Sequence, residues 1–279
     1  AGPKFFICYT FPMKRFVVLD KKIGQTPLEA LTLWKQAHPK YANMPATYAG
    51  RLDPLASGKL LVLLGEECKR KDTYTGLDKE YEVSILLDLA TDTGDLLGMP
   101  NSGKEATFPN RKNVEEVLSE QLGTRSHAYP LFSSKTVNGV PLFMHALNGT
   151  EITAPTHPET IHRIVLRDIR SEDSETIQAY IEKALSVVPR DDRQSKGLGQ
   201  DFRQDAIRAA WTSLFDSSAK RDYCVIRIRV VCGTGTYMRT LAERVGEALG
   251  TLAVAASIHR TRIGIYKPGL FGGLWLKQF

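Results

Sequence analysis

Cysteine is scarce in this chain, long apolar runs are missing, and no cluster of metal-binding side chains stands out. The four cysteines among 279 residues, Cys8, Cys68, Cys224 and Cys232, are scattered and show no CxxC spacing. That argues against a disulfide framework and a thiolate zinc site and predicts reduced core thiols, as in a cytoplasmic protein. No segment approaches the roughly 18 consecutive apolar residues of a membrane span, so no membrane partner is expected. The N-terminal stretch AGPKFFICYTFPMKRF lacks the basic, apolar and small-residue order of a secretory signal. The six histidines, His38, His127, His145, His157, His162 and His259, show no HExxH or comparable ligand spacing, so no metal is expected. The glycines of CGTGTY lack the dinucleotide fingerprint, and no Walker sequence is present, so no nucleotide cofactor is indicated. With no GxSxG elbow, the main acyl-transfer signature is missing as well.

What remains is an ordinary globular composition. Hydrophobic residues make up 42% of the chain and charged residues 24%, enough for a substantial core. Lysine and arginine outnumber aspartate and glutamate by 37 to 31, a formal charge of +6. The pI near 9.1 is compatible with an anionic partner but does not identify one.

Hydrophobic periodicity supplies the organisation. FVVLD (16–20) reads as a strand, and PLEALTLWKQAH as a helix with proline in its first turn. EYEVSILLD (80–88) alternates, with Tyr81, Val83, Ile85 and Leu87 on one face, which predicts a half-buried strand. Val114, Val117, Leu118 and Leu122 recur at helical spacing over 113–122, with Gly123 as the expected C-terminal cap. CVIRIRVVC (224–232) is a period-two strand, and GTGTYMRTLAERVGEALG makes a glycine turn, a Thr236 cap and a helix. Residues 174–220 carry two amphipathic helical patterns around the polar loop PRDDRQSKGLGQ and read as an insertion, most simply a solvated helical surface. With a hairpin signal at Asn138-Gly139, the chain predicts a mixed α/β (α+β) domain around a largely antiparallel sheet flanked by helices.

The most informative stretch is YAGRLDPLASGKLLVLLGEECKR, residues 48–70. The apolar run 60–64, bounded by Gly58 and Gly65, is a buried strand, so Asp53 lies on a loop feeding a core element. Asp-Pro opens turns, and such a carboxylate commonly caps a backbone N–H. A chemical role needs a partner that keeps the carboxylate ionised and aimed, and the best candidate is Arg239, in the first turn of a helix after a glycine turn.

These residues carry a resemblance. GRLDPLASGKLLVLLGEECK resembles the signature of the TruB-type pseudouridine synthases, and four further segments agree in the same order: LDKKIGQT, KEYEVSILLDLATDTGD, FSSKTVNGVPLF, and VVCGTGTYMRTLAERVGEALG with HRTRIGIY. The blocks spread from about residue 18 to 266, with 174–220 outside them. The resemblance implies a pseudouridine synthase fold in one catalytic domain over 1–279, and isomerisation of uridine to pseudouridine in RNA without cofactor or metal. Carried over by position, Asp53 is the nucleophile that attacks a flipped-out uridine at the sugar or the base. Tyr81 stacks on the uracil and serves the proton transfer at C5, and Arg239 pairs with Asp53. Candidate substrate-binding residues are Tyr48, Arg51, Lys21 as an RNA contact, Tyr237 as pocket lining, and Lys135.

The sequence departs from the family pattern in places. Tyr48 stands five residues before Asp53, where the bacterial enzymes usually place a histidine, and an aromatic there can stack on a base. Lys22 replaces the usual proline, and Lys135 lies one position upstream of the usual lysine. No C-terminal PUA module is expected after RTRIGIYKP, which would confine recognition to the catalytic domain, working as a monomer on the tRNA T-arm stem-loop. The rival readings are the same chemistry on another RNA, a non-catalytic tRNA-folding chaperone, and a nucleoside N-glycosidase with an Asp nucleophile.

Overall fold

The computed structural model describes residues 14–103, 108–187, 203–269 and 272–279. The first strand, β1 (Phe16–Lys21), leads through a turn into helix α1 (Pro27–Ala37). Thr26 starts that helix reciprocally: its hydroxyl accepts from the Glu29 amide at 3.1 Å, and the Glu29 carboxylate accepts from the Thr26 amide at 2.7 Å. Strands β2 (Ala46–Ala49) and β3 (Ser57–Leu64) follow and pair antiparallel, with β1 on the other side of β3. The unbroken apolar run in β3 now has its reason. Leu60, Val62 and Leu64 pack with Ala30 and Leu31 of α1, while Leu61 and Leu63 face Ala49, Tyr74 and Ile263. Both faces are dry, so no alternation is needed.

After the short helix α2 (Lys71–Thr75) comes β4 (Asp78–Leu87), then the small ribbon of β5 (Leu89–Thr91) and β6 (Pro100–Ser102). Helix α3 (Arg111–Glu120) starts at Asn110, whose side chain accepts from the Asn113 amide at 2.9 Å. It ends two residues before the expected stop, because Gly123, at φ +94°, opens strand β7 (Gly123–Ala128) instead of capping the helix. Asn138 and Gly139, both with positive φ, turn the hairpin of β8 (Thr136–Val137) and β9 (Val140–Pro141) as expected, and α4 (Leu142–Leu147) follows. Then come β10 (Thr156–Asp173), α5 (Ser174–Ser186), α6 (Gln204–Ser217), β11 (Asp222–Cys232), α7 (Met238–Ala248), β12 (Ala253–Lys267) and β13 (Leu274–Gln278).

The main sheet runs β1-β3-β12-β4-β11-β10-β7, with β2 added on β3 and β13 on β12. Every pairing is antiparallel except β12 with β3, where His259 and Arg260 run parallel to Ser57 and Gly58. The mixed, largely antiparallel sheet flanked by helices is the architecture the sequence predicts. One face is covered by α3 and α7, which bury Val114, Leu118, Leu241 and Val245 against β4 and β11. The other face is covered by α5 and α6, where Ile177, Ile181, Ile207 and Trp211 pack on Leu86 and Tyr223.

Three further expectations change. β4 is buried beyond its apolar face, because it lies between β12 and β11 and its second face also encloses Glu80 and Leu86, although Glu82 and Ser84 stay partly exposed. The two helices read as a solvated insertion are a core layer, each aliphatic side chain they bury stabilising by about 1.5–3 kcal/mol. The polar loop between them, with Arg190, Arg193 and Lys196, lies outside the described residues, as does Cys8. Thr236 does not cap α7, since its hydroxyl donates to the Gly233 carbonyl at 3.4 Å and Tyr237 takes the cap position. The strand β10 carries no signal recognised in the sequence, because charged residues interrupt its alternation at two register shifts against β11. Burial pushes the Cys224 thiol up to about 11 and the Cys232 thiol up to about 12, as inert core thiols.

Candidate active site

The loop carrying Asp53 is held from three directions. Gly50, at φ +76°, turns the chain out of β2, and the buried Arg260 of β12 donates to the Gly50 carbonyl at 3.0 Å, the Arg51 carbonyl at 3.4 Å and the Lys59 carbonyl at 2.7 Å. Lys21, fully buried at the end of β1, donates its ammonium to the Ala56 carbonyl at 2.6 Å and the Lys22 carbonyl at 3.0 Å. The Ala56 amide donates to the Asp53 carbonyl at 3.0 Å, closing the turn that Asp-Pro opens. Gly58 ends the loop at φ +99°, and a Cβ there would lie 2.3 Å from the Arg260 carbonyl oxygen. Only glycine lets β12 approach β3 this closely.

Within this frame the Asp53 carboxylate stays open, 38% exposed, while its partner Arg239 is 3% exposed. Arg239 Nε donates to Asp53 Oδ2 at 2.9 Å, as the sequence reading requires. The contact is not a two-nitrogen fork. Arg239 Nη1 donates to the Thr93 carbonyl at 2.5 Å and Nη2 to the Phe132 carbonyl at 3.0 Å. A second carboxylate, Asp95, lies with Oδ2 3.8 Å from Nε and is buried, its Oδ1 accepting from the Thr93 hydroxyl and the Leu97 amide. Burial raises the Asp95 pKa, with Arg239 opposing the rise. For Arg239 burial works against the charge, yet Asp53 and Asp95 hold its pKa above the usual arginine value. One guanidinium thus serves two carboxylates and two backbone carbonyls. Asp95 was missed in the sequence because it ends the TDTGD run, which reads as a polar turn.

Asp53 and Arg239 face a cleft of about 320 Å³. Thr26, Pro27, Leu28, Tyr48, Arg51 and Leu52 line one side, and Phe132, Ser133 and Phe143 another. Leu185 of α5 and Gln204 and Ile207 of α6 complete the wall, so the helical pair shapes the site. The guanidinium carbon of Arg51 lies 6.0 Å from the centre of the Tyr48 ring, which brings these two predicted residues together at the mouth.

The remaining predicted residues lie elsewhere. Tyr81, on β4, is buried beneath the Asp53 loop in the same core as Leu52 and Ala56, outside the cleft wall. Burial raises its pKa, opposed by the neighbouring Arg260. Tyr237, at the start of α7, faces Tyr129 and His157 edge-on, and burial, then the Asp53 charge, push its phenol up to about 12. Lys135 is exposed and sits 5.1 Å over the Tyr129 ring, away from the cleft lining. Lys21, expected to touch RNA, has no exposed surface; its ammonium braces the Asp53 loop from inside. Burial lowers its pKa to about 8, with Asp53 opposing the shift. Among the described residues no group of three or more His, Cys, Asp or Glu side chains is arranged to hold a metal. No helix among them is long and apolar enough to cross a membrane.

Comparison with known proteins bears on this arrangement. The chain is 27% identical over 255 residues to tRNA pseudouridine synthase B of Bordetella avium, covering 91% of this chain and 82% of that protein. It is 26% identical over 253 residues to the protein of the same name from Psychrobacter arcticus, covering 90% of this chain but only 53% of the relative. The chain thus spans about half the length of some of the relatives it matches. Among solved structures, a chain of a Cbf5-Nop10-Gar1 complex superposes with a TM-score of 0.51 at 20% identity, covering 89% of this chain and 48% of that one. That likeness is one of fold. The model of the TruB family pseudouridylate synthase N-terminal domain matches residues 40–185, more than half of the chain and including the Asp53 loop, β4 and Asp95. This chain therefore belongs to the TruB family of pseudouridylate synthases.

Proposed function

We propose that this protein isomerises uridine to pseudouridine in RNA, acting on the T-loop of tRNA. The observation that supports this most is an open, ion-paired carboxylate, Asp53, at a largely apolar cleft large enough for a nucleobase. A base within a stack cannot reach such a group, so the target nucleotide must be extruded into the cleft. The reaction breaks the bond between N1 and the ribose C1′, turns the uracil, and joins C5 to C1′ while the C5 hydrogen leaves as a proton. Electrons balance within the substrate, so the step needs no oxidant.

In this reading Asp53 is the nucleophile, at C1′ or at the base, and departs again when the new bond forms. Arg239 keeps it ionised and aimed. Tyr81, which lies beneath the Asp53 loop and outside the present cleft lining, keeps in this reading the roles of stacking on the uracil and serving the proton transfer at C5. Tyr48 and Arg51, at the mouth of the cleft, offer an aromatic face and a cation to the flanking nucleotides. Tyr237, whose ring lies 6.0 Å from the Arg239 guanidinium carbon, supports the pocket from behind Arg239, and Lys135 stands ready for a stem phosphate. The protein works as a monomer in the cytoplasm in this account, without cofactor or metal. A tRNA-folding chaperone would have no use for a carboxylate tied to a buried arginine, and an N-glycosidase would release free uracil.

The test is to incubate the purified protein with unmodified tRNA and with an isolated T-arm hairpin, then map pseudouridine position by position. Pseudouridine at one T-loop position in both RNAs is expected, at rates within roughly tenfold of each other. Free uracil in the products, or pseudouridine at other sites alone, overturns the reading.

A further inference from the structure

Resting on the pseudouridine-synthase reading of the cleft, we infer that Arg203, at the start of α6, is a positioning residue for Arg239. The two carbonyls that hold the Arg239 Nη atoms belong to two separate loops. Thr93 lies on the connection between β5 and β6, and Phe132 on the connection between β7 and β8. Neither carbonyl is itself bonded by the main sheet, although the Ala255 amide of β12 donates to the neighbouring Gly94 carbonyl at 3.0 Å, and the direction of Arg239 Nε, and with it the aim of Asp53, depends on both.

Arg203 ties these loops together. Its Nη1 donates to Asp92 Oδ2 at 2.7 Å, next to Thr93, and its guanidinium lies 5.1 Å over the ring of Phe132. The other oxygen of Asp92 accepts from the Met99 amide at 2.8 Å and so closes the first loop. Further along α6, Trp211 Nε1 donates to the Leu96 carbonyl at 3.2 Å, anchoring the same loop to the same helix. A path of direct contacts thus runs from Arg203 through Asp92 and Phe132 to Arg239 and Asp53.

Two features favour positioning over a purely structural role. The Arg203–Asp92 pair is about a third exposed on each side, where an ion pair adds little to folding stability. Arg203 also holds φ +55°, a left-handed backbone that a residue with a β-carbon adopts at a cost. Its side chain is already engaged by an acid and a ring, which argues against its being a free cation waiting for phosphate. The helical pair therefore does more than wall the cleft, since it sets the geometry of the carboxylate opposite.

The test uses Arg203→Gly, because glycine accepts the positive φ and leaves the backbone unstrained. Asp92→Asn breaks the same link from the other side. In single-turnover assays on the T-arm hairpin both variants should slow pseudouridine formation by about tenfold or more, the scale of a small misalignment of reacting groups, with RNA affinity within about threefold. The double variant should be no slower than the worse single one. Amide hydrogen exchange should accelerate in 91–99 and 129–135 and stay unchanged in β4 and β11. Unchanged exchange in both loops overturns the inference, as does weaker RNA binding with an unchanged rate on bound RNA, which would make Arg203 a phosphate contact. If the wild-type protein forms no pseudouridine, the functional reading fails by itself, while the exchange measurement still decides whether Arg203 holds the two loops.

Discussion

Replacing Arg239 with lysine separates what its charge does from what its shape does. A lysine ammonium placed near the present Nε keeps a positive charge between Asp53 and Asp95, so neither carboxylate is abandoned. It cannot also reach the Thr93 and Phe132 carbonyls, now bonded to Nη1 at 2.5 Å and Nη2 at 3.0 Å. Hydrogen bonds from a charged donor are worth about 1.5–3 kcal/mol each, so about 3–6 kcal/mol of organisation is lost. If water replaces one of the two bonds, about 1.5–3 kcal/mol remains, which is roughly tenfold to a hundredfold in rate if it is expressed in the transition state. RNA affinity should change little, because the buried guanidinium reaches no phosphate. The assay is single-turnover release of the C5 hydrogen from RNA tritiated at the uracil C5, with enzyme in excess, beside a filter-binding titration. A lysine variant that turns over bound RNA at the wild-type rate, or one that loses only binding, would refute the reasoning. Arg239→Met differs in kind: it leaves Asp95 buried without a cation and should cost about 3–5 kcal/mol of stability in urea unfolding.

Asp53→Asn keeps the size of the side chain but not its nucleophilicity, so turnover should vanish while hairpin affinity stays within a few fold; normal activity would remove Asp53 from the mechanism. Lys21 falls from its ordinary 10.5 to about 8 in the folded protein. Between those values the unfolded chain binds more protons, so this group makes stability rise with pH across that window, by up to about 3 kcal/mol. Urea unfolding at pH 7.5 and 10 should therefore show the wild type gaining on Lys21→Met, and a pH-independent difference would contradict the burial. Gly58→Ala places a Cβ 2.3 Å from the Arg260 carbonyl oxygen at a φ of +99°. It should cost several kcal/mol, seen as a large fall in melting temperature, and a near-neutral variant would mean that β12 does not pack on β3 as described.

The sequence by itself determined the elements whose pattern is local. Thr26, Pro27 and Glu29 fix the start of α1 through bonds within one turn, and Asn138-Gly139 fixes a hairpin through backbone dihedrals. The collinear blocks named the family, and the Asp53–Arg239 pair followed from the cost of burying either charge alone. Tertiary structure decided what depends on neighbours far along the chain. That β4 also encloses Glu80 and Leu86 on its second face follows from its place between β12 and β11, which no alternation in 78–87 can reveal. Lys21 reads as a surface cation in any window, and only the return of the Asp53 loop over β1 supplies the Pro54 and Ala56 carbonyls that help bury it. The roles of Asp95 and Arg203 were likewise not legible, because a carboxylate in a polar turn and one of several arginines around a polar loop acquire their meaning only when folding brings them to Arg239, Asp92 and Phe132. Local bonding is written in local sequence, whereas burial and partnership between distant charges are properties of the packed sheet.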